Sequence, residues 1–216
     1  MKPFCSGGTA DVDLIQAIQG EPPSRDEVNP FFFAEPVAPL VAARRRGRKI
    51  DLMEVLAVIR RMEGRCERLI VEGAGGVLVP LGNDFTVADV IANLECDVVV
   101  VAQNRLGVIN HMMLTVEALR ARRVKRIKAV LMTQSSTDYS ARSNAAILSE
   151  TIANIGVFSL PHLGAGATRF SPVKTNAKKN KITLARIADP DTFSARSSER
   201  LRREAQRRVE EAKKDR

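Results

Sequence analysis

Two rhythms of apolar residues run along this chain. The first is the short unbroken apolar run: Leu69-Ile-Val71, Val98-Val-Val-Val-Ala102, Ile127 to Met132, and Val157-Phe-Ser-Leu160. Runs of this kind predict strands buried on both faces. The second has helical spacing. Leu14, Ile15 and Ile18 share one face of a helix over Asp11 to Gln19. Leu52, Val55, Leu56 and Ile59 form a stripe behind Asp51, which is placed as the cap with Glu54 as its capping-box partner. Further helices are expected over Pro36 to Arg46, ending at Gly47, then Val87 to Leu94 after Thr86, Asn110 to Ala121, and Ala141 to Ile155. Residues 1 to 5 read as a strand end. Val28 to Phe33 reads as extended, because Pro30 biases Asn29 away from helix.

Strands and helices therefore alternate, which implies a parallel sheet covered on both faces. Ligands of such sheets sit beyond the carboxyl ends of the strands. Glu72, Gln103-Asn104, Thr133 and Pro161 all fall there. After residue 164 the pattern fades. The expected organisation is an α/β domain over 1–164, a loop or linker over 165–195, and a basic tail over 196–216, helical or disordered. Leu201, Ala205, Val209 and Ala212 give that tail only a thin apolar seam.

Composition changes this picture little. The hydrophobic fraction of 44% is ordinary for a globular core. No apolar run approaches the roughly 20 residues of a membrane-spanning helix, and the N-terminus lacks the apolar segment of a signal peptide. Cys5, Cys66 and Cys96 show no paired spacing and read as reduced thiols of a cytoplasmic protein. Cys66 and Cys96 are taken as small core residues. Much of the net charge of +9 is terminal, since nine basic and five acidic residues follow from Arg196 onward.

The chemistry concentrates in Arg68-Leu-Ile-Val-Glu-Gly-Ala-Gly-Gly-Val-Leu-Val-Pro80. An apolar strand ends in an acid, Glu72, and opens into a turn carrying Gly73, Gly75 and Gly76. A carboxylate there can hold Mg²⁺, and the glycines let backbone N–H groups close on a phosphate or carboxylate. The phosphate loop G-x-x-x-x-G-K-[ST] that normally accompanies such a site is absent from the 216 residues.

Five motifs in order carry a family resemblance. They are Lys2-Pro-Phe-Cys-Ser-Gly7; Val28-Asn-Pro30 with Ala38-Pro39 and Ala42-Ala43; Val71-Glu-Gly-Ala-Gly-Gly76; Thr86-Val-Ala-Asp-Val90; and Asn104-Arg-Leu-Gly-Val-Ile-Asn-His111 leading into Leu114-Thr115. From Lys2 to about Pro161 the chain resembles dethiobiotin synthetase, an ATP-dependent ring-closing ligase of biotin synthesis. The resemblance implies a P-loop-NTPase-like parallel sheet with helices on both faces, here missing its first strand–P-loop–helix unit. It implies a cytoplasmic homodimer that uses diaminopelargonate, CO₂ and ATP with Mg²⁺, with no membrane association and no nucleic-acid partner expected.

The resemblance also implies roles for individual residues. Lys2 would be the active-site lysine, a positive charge placed where negative charge gathers during phosphoryl transfer. Asp11 and Glu72 would be the Mg²⁺ ligands. Asp11 also reads as a helix N-cap, and Asp13 is less suited by register. Ser6 would bind the diamine, and Gly107, Val108, Ile109 and Asn110 its carboxylate, across a dimer interface. Asp11 and Glu72, Gly73, Ala74 and Gly75 would line the nucleotide pocket, with Thr133, Gln134, Pro161, His162 and Leu163 on its adenine side. His111 reads as a packing histidine.

Two departures stand out. Met1 sits immediately before Lys2, so the phosphate-cradling segment is missing. A chain lacking it is expected to be inactive, and a misassigned or incomplete start is the favoured explanation over a truncated relative. At the adenine end, Thr133-Gln134 replaces the family's usual Asn, which leaves nucleotide preference open. Rival readings are a catalytically dead dimerisation partner and a polyanion-binding protein acting through the tail. With one Tyr and no Trp, stacking platforms for single strands are scarce.

Overall fold

The computed structural model describes residues 1–19, 23–135, 139–164, 166, 167, 169–189 and 191. The basic tail over 196–216 lies outside the described residues. The chain forms two compact units, Met1–Glu95 with Thr168–Val173, and Cys96–Ala167 with Lys174–Arg216.

The first unit begins with strand β1 (Phe4–Ser6), then helices α1 (Ala10–Ile18) and α2 (Arg25–Val28), strand β2 (Phe31–Phe33), and helices α3 (Pro39–Arg45), α4 (Leu52–Glu63) and α5 (Val87–Leu94). Strands β1 and β2 pair in parallel, Phe4 opposite Phe31 and Ser6 opposite Phe33. Their rings stack, with Phe4 and Phe31 centroids 4.7 Å apart. Around them Phe33, Val55, Leu56, Ile59, Leu81 and Phe85 build the core. Burial of this size, about 1.5–3 kcal/mol per large apolar side chain, holds short strands that would be marginal alone.

Local chemistry sets the helix ends. Ser24 and Glu27 close a reciprocal capping box on α2, so Val28 ends a short helix where the sequence suggests an extended segment. The cap expected at Asp51 is present, its carboxylate accepting from Glu54 N–H at 2.8 Å. The Glu54 side chain does not return the bond; it pairs with Arg48 at 3.0 Å instead. Thr86 and Asp89 form the box on α5.

Leu69 to Val71 departs from expectation. No ladder strand forms, and Ile70 is 82% exposed rather than buried. The segment does run beside residue 1 in parallel fashion. The Met1 ammonium donates to the Ile70 carbonyl at 2.8 Å, and Glu72 N–H donates to the Met1 carbonyl at 2.9 Å. One residue bonded to positions 70 and 72 is the repeat of a parallel ladder, and a single such repeat is too short to count as a strand. It is enough to fix Glu72 beside the start of the chain.

The second unit comprises β3 (Val98–Asn104), α6 (Val108–Ala121), β4 (Ile127–Thr133), a 3₁₀ turn (Tyr139–Arg142), α7 (Asn144–Thr151), β5 (Gly156–Leu160), α8 (Phe170–Lys179, shared in part with the first unit) and α9 (Lys181–Ala188). Its sheet has order β3-β4-β5, all parallel. The parallel α/β reading of the sequence therefore holds. Strand β4 is buried along most of its length, as a central strand should be. Strand β3 lies at the edge of the described sheet, and Val99 and Val101 are 39% and 60% exposed.

The expected linker over 165–195 is replaced in large part by α8 and α9. Ile187 of α9 packs on the cluster of Val130, Phe158 and Leu160. Lysines 174, 178, 179 and 181 mask the apolar stripe of these helices in the sequence. Cys66 and Cys96 are exposed, and only Cys5 is buried, so the core role falls to Cys5 alone. Among the described residues no helix is long and apolar enough to cross a membrane.

Candidate nucleotide and metal site

Strand β1 ends where α1 begins, and the chain turns between them through Gly7 and Gly8. This puts Lys2, just before β1, near the first turn of α1. The parallel contact at residue 1 brings Glu72 to the same place. As a result the Lys2 ammonium lies 2.6 Å from Glu72 Oε1 and 3.3 Å from Asp11 Oδ2. The lysine side chain is 10% exposed, while both carboxylates remain about half exposed.

Burial pulls the Lys2 ammonium toward a lower pKa. The hydrogen bonds and charges of Glu72 and Asp11 outweigh it, and the net displacement is upward from the ordinary value of 10.5. Lys2 is therefore a firmly held cation between two acids. Burial pushes the nearby Cys5 thiol up, so it stays protonated; its Sγ–H donates to the Gly8 carbonyl at 2.7 Å.

Asp11 is not the helix cap the sequence suggests. The cap position belongs to Thr9, and Asp11 stands in the first turn with its carboxylate turned to Lys2. Asp13 is drawn away by Arg25 at 3.0 Å and accepts from the Thr9 hydroxyl at 3.0 Å. Ser6 is half-buried at the end of β1.

The glycine turn continues directly from Glu72. Gly75 has φ +70°, and a Cβ there would stand 2.9 Å from Val79 Cγ2, so only glycine fits without strain. The far side of the turn is tied to α5 by Ala88 N–H donating to the Val77 carbonyl at 2.8 Å and Val87 N–H to the Val79 carbonyl at 3.3 Å. Gly73 and Gly75 are exposed and Ala74 half-buried, leaving the turn's backbone open to a ligand.

Mg²⁺ is the ion such residues suit. Asp11 and Glu72 are hard oxygen donors gathered on one ammonium. Mg²⁺ is commonly bound by one or two carboxylates together with substrate phosphates and water. No cluster of three or more His, Cys, Asp or Glu capable of holding a metal occurs among the described residues, and two carboxylates would leave the rest of a metal's shell to a ligand and water.

The other predicted residues lie in the second unit. Gly107 caps α6 at φ +91°, Val108 is buried, Ile109 half-buried and Asn110 exposed. The loop leading to them is pinned by an amide network that sequence reasoning missed. Asn104 Nδ2 donates to the Ala141 carbonyl at 3.0 Å, and Asn144 Nδ2 donates to Asn104 Oδ1 at 2.9 Å. Asn144 looks in the sequence like any helix-start asparagine; burial alone reveals its use. Thr133 ends β4 and Gln134 follows it, both half-buried, and Pro161, His162 and Leu163 follow β5. His111 is exposed on α6, which removes the packing role suggested for it.

Parallel sheets flanked by helices fit a P-loop-NTPase-like α/β fold, and the family model described as an AAA domain matches residues 1–165. Three relatives are each named ATP-dependent dethiobiotin synthetase. The one from Anaeromyxobacter dehalogenans is 40% identical over 151 residues, covering 68% of this chain and 68% of the relative. That from Bacillus licheniformis is 39% identical over 135 residues, 60% of this chain and 57% of the relative. That from Methanococcus vannielii is 37% identical over 131 residues, 61% and 62%. The chain belongs to the dethiobiotin synthetase family. It spans 57% and 62% of the length of the last two relatives.

Proposed function

We propose that this chain acts in an ATP- and Mg²⁺-dependent ring-closing ligase that makes dethiobiotin from 7,8-diaminopelargonate and CO₂. The observation that carries this reading is the single Lys2 ammonium held by Glu72 at 2.6 Å and Asp11 at 3.3 Å. The lysine supplies fixed positive charge, and the two acids supply the oxygen donors for a cation, beside a glycine turn.

The chemistry needs no enzyme nucleophile. One amine of the substrate adds to CO₂ and releases a proton, giving a carbamate. The carbamate oxygen attacks the γ-phosphorus of ATP and ADP leaves. The second amine then attacks the carbamic–phosphoric anhydride carbon, phosphate departs, the nitrogen releases a proton, and the urea ring closes. Mg²⁺, when bound, would neutralise the phosphates and orient them for in-line transfer. Lys2 would shift from its carboxylate partners toward the phosphoryl oxygens, where a charged donor is worth about 2–4 kcal/mol in the transition state.

Asp11 and Glu72 would hold the metal. The Glu72 to Gly75 backbone would face the nucleotide, with Thr133, Gln134 and Pro161 to Leu163 on the adenine side. Ser6 would receive the diamine. Gly107 to Asn110 would receive its carboxylate at the start of α6, where unbonded N–H groups favour an anion, in a homodimer.

The test is dethiobiotin formation from diaminopelargonate, bicarbonate, Mg²⁺ and ATP. It is run with the 216-residue chain and with any in-frame upstream coding sequence included. Activity lost in Lys2→Met and Glu72→Gln supports the reading. A protein that binds ATP with Mg²⁺ yet never converts this diamine overturns it.

A further inference from the structure

Five of the six residues Arg44-Arg-Arg-Gly-Arg-Lys49 are cations, and they span the end of α3 and the turn toward α4 in the first unit. Part of this charge has a structural use. Cations at the end of α3 complement its dipole. Arg46 pairs with Glu35 at 3.1 Å and lies over the Phe33 ring. Arg48 pairs with Glu54 at 3.0 Å and lies over the Phe31 ring.

The remainder does not fit that account. No described carboxylate lies within ion-pair distance of Arg44, Arg45 or Lys49. Arg44 closes its fork on a neutral acceptor: Nε and Nη2 both donate to Asn83 Oδ1, at 3.1 and 2.7 Å. The same two donors have the spacing to take two oxygens of a carboxylate or phosphate in place of the one amide oxygen.

Beside it lies a cavity of about 240 Å³. Arg44, Arg48, Lys49 and Asn83 stand on its wall, Ile50 and Leu81 are among its apolar lining, and no acid lines it. The wall is fixed. A Cβ on Gly82 would stand 2.1 Å from Phe85 Cε1 and 2.7 Å from the Ile50 carbonyl oxygen, so the loop approaches Ile50 as closely as only glycine allows.

We propose that this turn is a binding site for a small multivalent oxyanion, a phosphate ester or polycarboxylate with a compact apolar body. Two cations of its wall, Arg44 and Lys49, have no carboxylate partner among the described residues and call for a dianion. The Arg44 fork and the Lys49 ammonium would hold its oxygens, and the apolar lining would receive its carbon skeleton. The site is separate from the Lys2 cluster and needs neither ATP nor Mg²⁺.

The experiment is amide NMR on the full chain, titrated at constant ionic strength with pyrophosphate, citrate or chloride, in the absence of divalent cations. Saturable shifts confined to residues 44–50 and 81–83, with pyrophosphate or citrate but not chloride, support the site. Saturation by one anion alone assigns its class. Arg44→Gln and Lys49→Gln should each weaken binding about tenfold, as expected for loss of one charge-assisted bond, whereas Glu72→Gln should not. Lys49→Gln alters an exposed residue and keeps the fold. Shifts that stay linear, that persist in both variants, or that vanish in Glu72→Gln overturn the proposal.

Discussion

The carboxamide of Asn29 donates to the backbone carbonyls of Lys2 and Pro3, at 2.7 and 3.2 Å, and thereby fixes the residue that carries the candidate site's positive charge. Asn29 is 5% exposed, and its own N–H is spent on the Arg25 carbonyl at 2.8 Å. The side chain bridges 27 positions of sequence to hold one dipeptide.

Asn29→Leu should therefore act on stability and on the site together. Removing the donor leaves buried carbonyl oxygens short of a partner, at a cost of about 1–3 kcal/mol. Urea unfolding should report that loss. Asn29→Asp should be worse near neutral pH, because a carboxylate would face two carbonyl oxygens. Equal stability of all three proteins would show that the contact does not anchor Lys2.

This relationship marks what the sequence made legible. The order of strands and helices could be read from apolar runs, and the acid–glycine junction at Glu72 from residue type alone. The meeting of Lys2, Asp11 and Glu72 could be anticipated only through the family motifs, since it depends on packing between distant segments. Asn29, Asn104 and Asn144 were opaque as positioning residues. A buried amide and a surface amide have the same letter, and only the fold decides which carbonyls surround it. Helices α8 and α9 were hidden because lysines and polar residues interrupt the apolar positions of α8 and Asn180 separates it from α9.

Lys2→Met should uncouple metal affinity from catalysis. With the ammonium gone, Asp11 and Glu72 repel each other and lose their internal counter-ion. Binding of Mn²⁺ as a probe for Mg²⁺, measured by calorimetry without nucleotide, should tighten several-fold, while ligase turnover should vanish. Metal binding that weakens in this variant would show that the two acids do not form the cation site.

The pH response of Lys2 follows from its position. Its folded pKa is raised above the unfolded value of 10.5. The stabilisation from its two ion pairs is thus fully present below 10.5 and is lost only as pH climbs through the folded value. Activity that requires this charge should show no basic limb from Lys2 up to about pH 10. A basic limb between pH 8 and 9 that disappears in Lys2→Arg would contradict this.

Two glycines should respond oppositely to alanine. At Gly82 the added Cβ would meet Phe85 Cε1 at 2.1 Å and backbone at 2.7 Å. Gly82→Ala should destabilise by about 1–3 kcal/mol or more. Gly64 ends α4 with φ −64°, and a Cβ there has only ordinary contacts at 3.8 and 3.9 Å. Gly64→Ala should be neutral or stabilise by about 0.4–1 kcal/mol through the unfolded chain. Thermal unfolding of both variants decides it.

Lys128 gives the second unit a pH dependence of the opposite sign to that of Lys2. The residue is fully buried on β4, and its ammonium donates to the carbonyls of Arg186, Ile187 and Asp189 at 3.2, 2.6 and 2.7 Å. These carbonyls belong to the last turn and cap of α9, groups a helix end leaves without intrahelical partners. Burial lowers the lysine pKa to about 8, with Asp189 and Asp97 opposing the fall and Arg126 adding to it. Between about pH 8 and 10.5 the unfolded chain therefore binds a proton that the folded chain has released. Stability contributed by this group rises with pH across that window. Measured by denaturant unfolding at pH 7.5 and 10, the natural chain should gain stability relative to Lys128→Met. The difference should vanish if the ammonium stays charged to pH 10, in which case its three carbonyl bonds outweigh the cost of burial.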